Sequence, residues 1–349
     1  MAKLTTAGLV ILLLFTSPAV GQIGVPNRAP APLFKGQQGR QRTEIHFDRS
    51  TGMVTLKLLV QDANGYFIPN IRRENFIVYE DGVRQTNATV DIEHASVSLG
   101  LLIEYGGRYQ GMNRELARHV SRSAHQLLDF LGQQDEITIW TYGDSVTQLA
   151  DSSQGRENID RTLLSLQAPG ASETNLYDAV LFALERVRSV TGRKAIIMMS
   201  SGVDTFSKAK YEDVLAAAPN CDTPVYIIGL GPVLREAAEL YGVDFVKRID
   251  WKGAESKLQE IARISGGRYY SPEGTIDLSA IYDDIMENLR VRYVITYKSS
   301  HAASPGARHT VQVKLVNPKT VGPLEIVDAN GKKIHANIIA EESYTTSSE

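Results

Sequence analysis

The run Leu99-Gly-Leu-Leu-Ile103, followed at once by Glu104-Tyr105-Gly106-Gly-Arg108, decides how the chain is read. It is a short apolar stretch that ends in a polar, glycine-bearing turn. Three further stretches have the same apolar character: Ile137 to Tyr142, Ala195 to Met199 and Val225 to Ile228. Continuous apolar runs of this kind suit strands covered on both faces. Between them, Leu116, Val120, Leu127 and Leu131 recur at helical spacing before Gly132, and Leu176, Val180, Leu184 and Val187 do so before Gly192. Strand and helix in alternation imply an α/β fold: a doubly wound, mostly parallel sheet of Rossmann type with right-handed crossovers, over residues 98–290. Such sheets take ligands at the carboxyl ends of their strands. That selects the turns after Ile103 and Met199 and the loop before Leu176.

The flanks read as β structure. From 43 to 97, Val54, Leu56, Leu58 and Val60 alternate, and Phe76 and Val78 lead to the turn Glu80-Asp81-Gly82. From 291 to 340, Arg292 to Tyr297 and the alternating Val311, Val313 and Leu315 resume the pattern. The expectation is a small β-sandwich made from both ends of the chain, with the α/β domain inserted in it. Residues 341–349 are polar and read as a flexible tail. Pro26, Pro30 and Pro32 mark 22–42 as a linker. Lys3, the apolar run Ala7 to Phe15 and the small-x-small Ala19-Val20-Gly21 read as a signal peptide over 1–21, which implies export to the periplasm or beyond. The apolar run falls short of the roughly 20 residues a bilayer helix needs, and no other stretch reads as membrane-spanning.

A net charge of −3 without a run of Lys or Arg argues against nucleic acid as a partner. Cys221 is the single cysteine, so no intrachain disulfide can form and a zinc site has no cysteine cluster to draw on. Among His46, His94, His119, His125, His301, His309 and His335 there is no His-Glu-x-x-His pair, and no Gly-x-Ser-x-Gly elbow is present. Gly106 to Gly111 has the glycine spacing of a phosphate loop, but Met112-Asn113 follows where Lys and Ser or Thr should stand. The dinucleotide fingerprint fails because Arg108 fills its second glycine position.

Several motifs, in order, resemble the von Willebrand factor A-related proteins secreted by bacteria. Asp62-Ala-Asn-Gly65 and Asn75-Phe76-Ile-Val-Tyr-Glu80-Asp81-Gly82 look like that family's opening β segment. Gly170-Ala-Ser-Glu173-Thr174-Asn-Leu-Tyr-Asp178-Ala179 is similar to its Gly-Thr-x-Leu-Tyr-Asp-Ala loop. Ala195 to Asp204 stands where the family has a strand ending in Ser-Asp-Gly-x-Asp, and Gly266 to Tyr270 and Tyr293 to Tyr297 match its closing segments.

The resemblance implies a divalent cation held by an Asp-x-Ser-x-Ser turn, a Thr and an Asp. The ion would keep an open position for a partner's carboxylate. Against that pattern, the first turn reads Glu104-Tyr-Gly106-Gly-Arg108: both hydroxyls are gone, and a guanidinium stands where one is expected. Thr174 is kept, Ser201 replaces the expected Asp, and Asp204 matches the motif's second acid. A cation within about 4 Å of Arg108 would be opposed by several kcal/mol at an effective dielectric of 20.

The expectation is a decayed metal site with no cofactor. The chain then reads as an exported, non-catalytic module that binds a protein partner through Glu104, Tyr105, Gly106, Arg108, Tyr109, Glu173, Thr174, Ser201 and Asp204. One alternative is a weak Mg²⁺ or Ca²⁺ site built on Glu104, Thr174 and Asp204. Others are a nucleotide-binding protein or enzyme at the same edge, and a structural component of the envelope.

Overall fold

The computed structural model describes residues 23–24, 44–62, 67–68, 70–106, 114–166, 173–241, 247–272, 278–300, 306–320, 322–327, 333–334, 336–338 and 341–346. The signal segment lies outside these residues, as do Arg108 and Tyr109 of the expected site.

A six-stranded sheet forms the centre, in the order Val146–Asp151, Glu136–Tyr142, Val97–Glu104, Arg193–Ser200, Val225–Gly229, Tyr269–Tyr270. Its first strand along the chain therefore lies inside the sheet, and the order reverses on either side of it, as in doubly wound folds. All neighbours are parallel except Val146–Asp151, which returns antiparallel along Glu136–Tyr142 as an edge strand.

Strand geometry sends alternate residues to opposite faces, and both faces are covered. Leu101, Ile103, Ile197 and Met199 pack with Val120 and Leu127 of the helix Arg114–Leu128 and with Ile285 and Leu289 of Ser279–Arg290. Leu102, Trp140, Ile196 and Met198 pack on the other side with Leu176, Val180 and Leu184 of Leu176–Arg188 and with Leu258 and Ile261 of Trp251–Ser265. Each such buried side chain contributes about 1.5–3 kcal/mol, so continuous apolar runs follow from two covered faces. Gly100 breaks the first run because a Cβ there would stand 2.6 Å from the indole of Trp140.

Two four-stranded sheets make up the β-sandwich. One has the order Glu44–Asp48, Met53–Leu58, Val291–Lys298, Thr89–His94; the other has Glu341–Thr345, Arg308–Leu315, Phe76–Glu80, Val83–Gln85. Strands from the two ends of the chain thus lie side by side, with Leu56 opposite Ile295 and Val78 opposite Val313. Leu56, Leu58, Phe76, Val78, Tyr293 and Ile295 share its core.

The expectation of a frayed tail is corrected. Glu341–Thr345 is a strand paired with Arg308–Leu315. Its anchor is Tyr344, whose ring stacks 5.3 Å from Phe47 and whose hydroxyl donates to the buried Glu80 at 2.5 Å. The linker reading is modified as well, because Ile23–Gly24 pairs in parallel with Ile326–Val327. Sandwich and central sheet are joined through polar contacts. Arg193 pairs with Glu93 at 2.6 Å, and Gln61 Nε2 donates to Asn288 Oδ1 at 2.7 Å. Among the described residues no helix is long and apolar enough to cross a membrane.

Candidate functional site at the carboxyl edge of the sheet

Sheet register assembles the site. Glu104, the last residue of its strand, lies opposite Tyr142, and Ile103 lies opposite Met199, which brings Ser200 level with Glu104. The longer arm of glutamate then reaches across to the neighbouring strand end. One carboxylate oxygen, Oε2, accepts from the Ser201 amide at 2.7 Å, Ser201 Oγ at 2.9 Å, Ser200 Oγ at 3.1 Å and Tyr142 Oη at 3.1 Å.

The donors are fixed in turn. Gly202 N donates to Ser200 Oγ at 3.0 Å, Val203 N donates to Ser201 Oγ at 3.1 Å, and Tyr142 Oη lies 2.8 Å from Ser200 Oγ. Glu104 and Ser200 are fully buried and Ser201 nearly so. Burying a carboxylate is costly unless it is hydrogen-bonded, and these donors replace its water. The Ser200-Ser201 turn is in effect an anion hole that the chain fills with its own acid.

Asp204 is tied to the start of a helix. Its Oδ1 accepts from the amides of Leu176 at 2.9 Å and Tyr177 at 3.4 Å and from Ser207 Oγ at 2.5 Å. Those amides open the helix Leu176–Arg188, whose own N-cap residue Asn175 makes no side-chain cap bond. Asp204 therefore caps that helix from another loop, where a negative charge also suits the helix dipole. Asp178 reciprocates by accepting from the amides of Lys208 and Ala209, both at 2.9 Å. The Leu-Tyr-Asp-Ala motif is thereby explained: Leu176 and Ala179 are buried, and Asp178 ties the helix to the 204–209 loop.

Thr174 sits between these two systems. Its backbone is zipped to Thr205, with Thr174 N donating to Thr205 Oγ1 at 2.7 Å and Thr205 N donating to Thr174 O at 2.9 Å. Its own hydroxyl is buried without a partner. So is the hydroxyl of Tyr105, where burial pushes the phenol up from its usual 10.0. Gly106 is buried, and the amide of Glu173 donates to Asp144 Oδ1 at 2.5 Å.

A resident divalent cation needs hard oxygens with free lone pairs converging on one point. Glu104 Oε2 already accepts four bonds, and Asp204 Oδ1 is engaged by the helix terminus. Among the described residues no group of three or more His, Cys, Asp or Glu could hold a metal. Glu104 Oε2 and Asp204 Oδ1 are thus engaged within the chain, and among the described residues the unpartnered Thr174 hydroxyl is a feature that would suit such an ion.

Three residues escaped the sequence reading. Tyr142 and Ser200 become visible only through register. Phe206 is 73% exposed on the loop after the Arg193–Ser200 strand, and a lone aromatic within Asp204-Thr-Phe206-Ser-Lys208 was the available signal.

Neither a family model nor a curated protein matches the chain. Solved structures with a similar fold include a von Willebrand factor type A protein from Catenulispora acidiphila, at 11% identity and TM-score 0.46, covering 81% of this chain and 75% of that one. Another is the conserved hypothetical protein BatB from Bacteroides thetaiotaomicron, at 16% identity and TM-score 0.41, covering 55% and 98%. A third is the PilB minor pilin from Streptococcus sanguinis, at 11% identity and TM-score 0.40, covering 56% and 62%. At these identities and TM-scores the site is read from this chain's own residues.

Proposed function

We propose that this chain is an exported, non-catalytic binding module of the A-type domain class, which recognises a protein partner at the carboxyl edge of its central sheet without a resident cation. The observation that carries this reading is the state of that edge. Its buried carboxylate is closed by four protein donors, while Phe206 stands 73% exposed beside it. Aromatic side chains with most of their surface in water are favoured anchors in protein interfaces. Export rests on the Lys3, Ala7 to Phe15 and Ala19 to Gly21 signal. The family assignment rests on the ordered motifs from Asp62 to Tyr297.

The test is photo-crosslinking in the producing cell. A benzophenone amino acid is placed at position 206, or at Arg188, which ends the helix Leu176–Arg188 far from the carboxyl edge. The expected result is a discrete protein adduct from 206 that persists in EDTA, with none from 188. An adduct that forms only with Mg²⁺ supports the metal-dependent alternative instead, and equal labelling from both positions removes the edge as the binding surface.

A further inference from the structure

Among the described residues, the β-sandwich leaves a strand position open. Val83–Gln85 pairs, among the described residues, only with Val78–Glu80, although that neighbouring strand begins at Phe76 and is matched on its other side along its full length, Phe76 opposite Leu315 and Ile77 opposite Lys314. Beyond Gln85 the chain leaves through Thr86 to Ala88 and enters Thr89–His94, the edge strand of the other sheet. Beside Phe76 and Ile77 lies a cavity of about 410 Å³, lined also by Ala88, Val90 and Val316. Ile92, on the edge strand, is 47% exposed.

The mouth of this cavity is basic in a chain whose net charge is −3. Arg73 and Arg84 line it, and neither forms an ion pair among the described residues. Arg73 Nη2 donates to the Ala88 carbonyl at 2.8 Å, which holds the guanidinium at the opening with its other donors free for a carboxylate. Glu74 is the acid at the mouth, and its carboxylate lies 3.9 Å from Arg72.

We infer that the gap receives an extended acidic segment of a partner protein. The segment continues the line of Val83–Gln85 beside Phe76 and Ile77, places an apolar side chain in the cavity, and sets a neighbouring carboxylate against Arg73 and Arg84. An open strand position supplies main-chain pairing, the cavity selects the apolar residue, and guanidinium forks select the acid. The site is separate from the carboxyl edge and does not depend on the role given to it.

Fluorescence anisotropy on the full chain tests this with a labelled peptide of alternating valine and glutamate and its valine–lysine counterpart. The acidic peptide binds and the lysine peptide does not. Arg73→Glu with Arg84→Glu weakens binding about tenfold or more, and Phe206→Ser leaves it unchanged. If the double reversal disturbs folding by circular dichroism, the exposed Arg84→Gln alone gives a several-fold loss. Equal binding of the two peptides, no binding by the wild type, or indifference to every arginine change overturns the inference. A chain carrying benzophenone at 206 that yields no adduct yet binds the acidic peptide separates this site from the edge.

Discussion

Replacing Glu104 by alanine tests whether the buried carboxylate holds the carboxyl edge together. The change removes one acceptor shared by four donors. Tyr142 keeps Ser200 Oγ, 2.8 Å away, as an acceptor, and the serine hydroxyls can rotate. The Ser201 amide cannot, and a buried amide left without an acceptor costs about 1–3 kcal/mol. Two hydroxyls exchange a charged acceptor for weaker ones at about 1 kcal/mol each, and the lost methylene adds about 0.8 kcal/mol. Relief of the carboxylate's own desolvation offsets part of this, leaving about 3–4 kcal/mol. At about 2–4 °C per kcal/mol the midpoint falls by on the order of 10 °C. Near-UV circular dichroism of wild type, Glu104→Ala and Glu104→Gln in EDTA measures it, with glutamine losing about half as much because it keeps an acceptor but no charge. A resident cation gives another pattern: the wild type gains about 2.7 kcal/mol at Mg²⁺ near 100 times Kd, and the alanine variant in EDTA unfolds where the wild type does. That pattern refutes the reasoning.

Asp204→Ala strips the cap from the helix Leu176–Arg188 and lowers stability by about 1–2 kcal/mol in urea titrations, with Asp204→Asn recovering most of it; an unchanged midpoint denies the capping role. Gly202 has φ +82°, and a Cβ there would lie 2.8 Å from the Ala254 carbonyl, so Gly202→Ala costs about 2–4 kcal/mol and lowers the melting temperature more than Asp204→Ala does. Thr174→Val removes a buried hydroxyl without a partner and raises stability by up to about 1 kcal/mol; a loss of that size instead reveals a partner for the hydroxyl. The hydrogen bond from Lys57, with the charge of Arg193, holds the Glu93 carboxyl below its usual 4.5. Its folded-state pKa is depressed, so its contribution is complete above about pH 4.5 and disappears as pH falls through the folded value. Glu93→Gln should therefore flatten the acid limb of a stability–pH curve below about pH 4.5, and an identical limb in both proteins excludes it.

Much of the fold was legible because its signals are local. Leu99 to Ile103 and Ala195 to Met199 are apolar without alternation, which requires cover on both faces, and Gly132 and Gly192 mark where helices give way to strands. The short strand Val146–Asp151 was not legible, since its exposed positions Thr147 and Gln148 dilute the apolar pattern of an edge. The tail misled for a related reason: Tyr344 alone anchors a polar segment, and one residue makes no period. At the site, Glu104 and Asp204 were singled out as partner-facing residues, and the hydrogen bonds each makes within the chain were not legible. Their partners lie 96 and 97 residues away for Glu104 and 28 and 27 for Asp204, at distances along the chain that no motif spacing encodes.

The first turn lacks the serine hydroxyls of the family pattern, yet the edge has serine hydroxyls of its own. Ser200 and Ser201 bring them from the adjacent strand end, and Glu104 supplies the carboxylate that an aspartate on that strand would have provided. Nearly the same chemical groups are present with acid and alcohols exchanged between strands, and the exchange changes what they can do. Oxygens that converge on a vacant point bind a cation; here the hydroxyls of Ser200 and Ser201 point at Glu104 Oε2 instead. On the proposed reading selectivity rests on what projects from the edge, the exposed ring of Phe206, whose contribution would scale with buried apolar area rather than with ions.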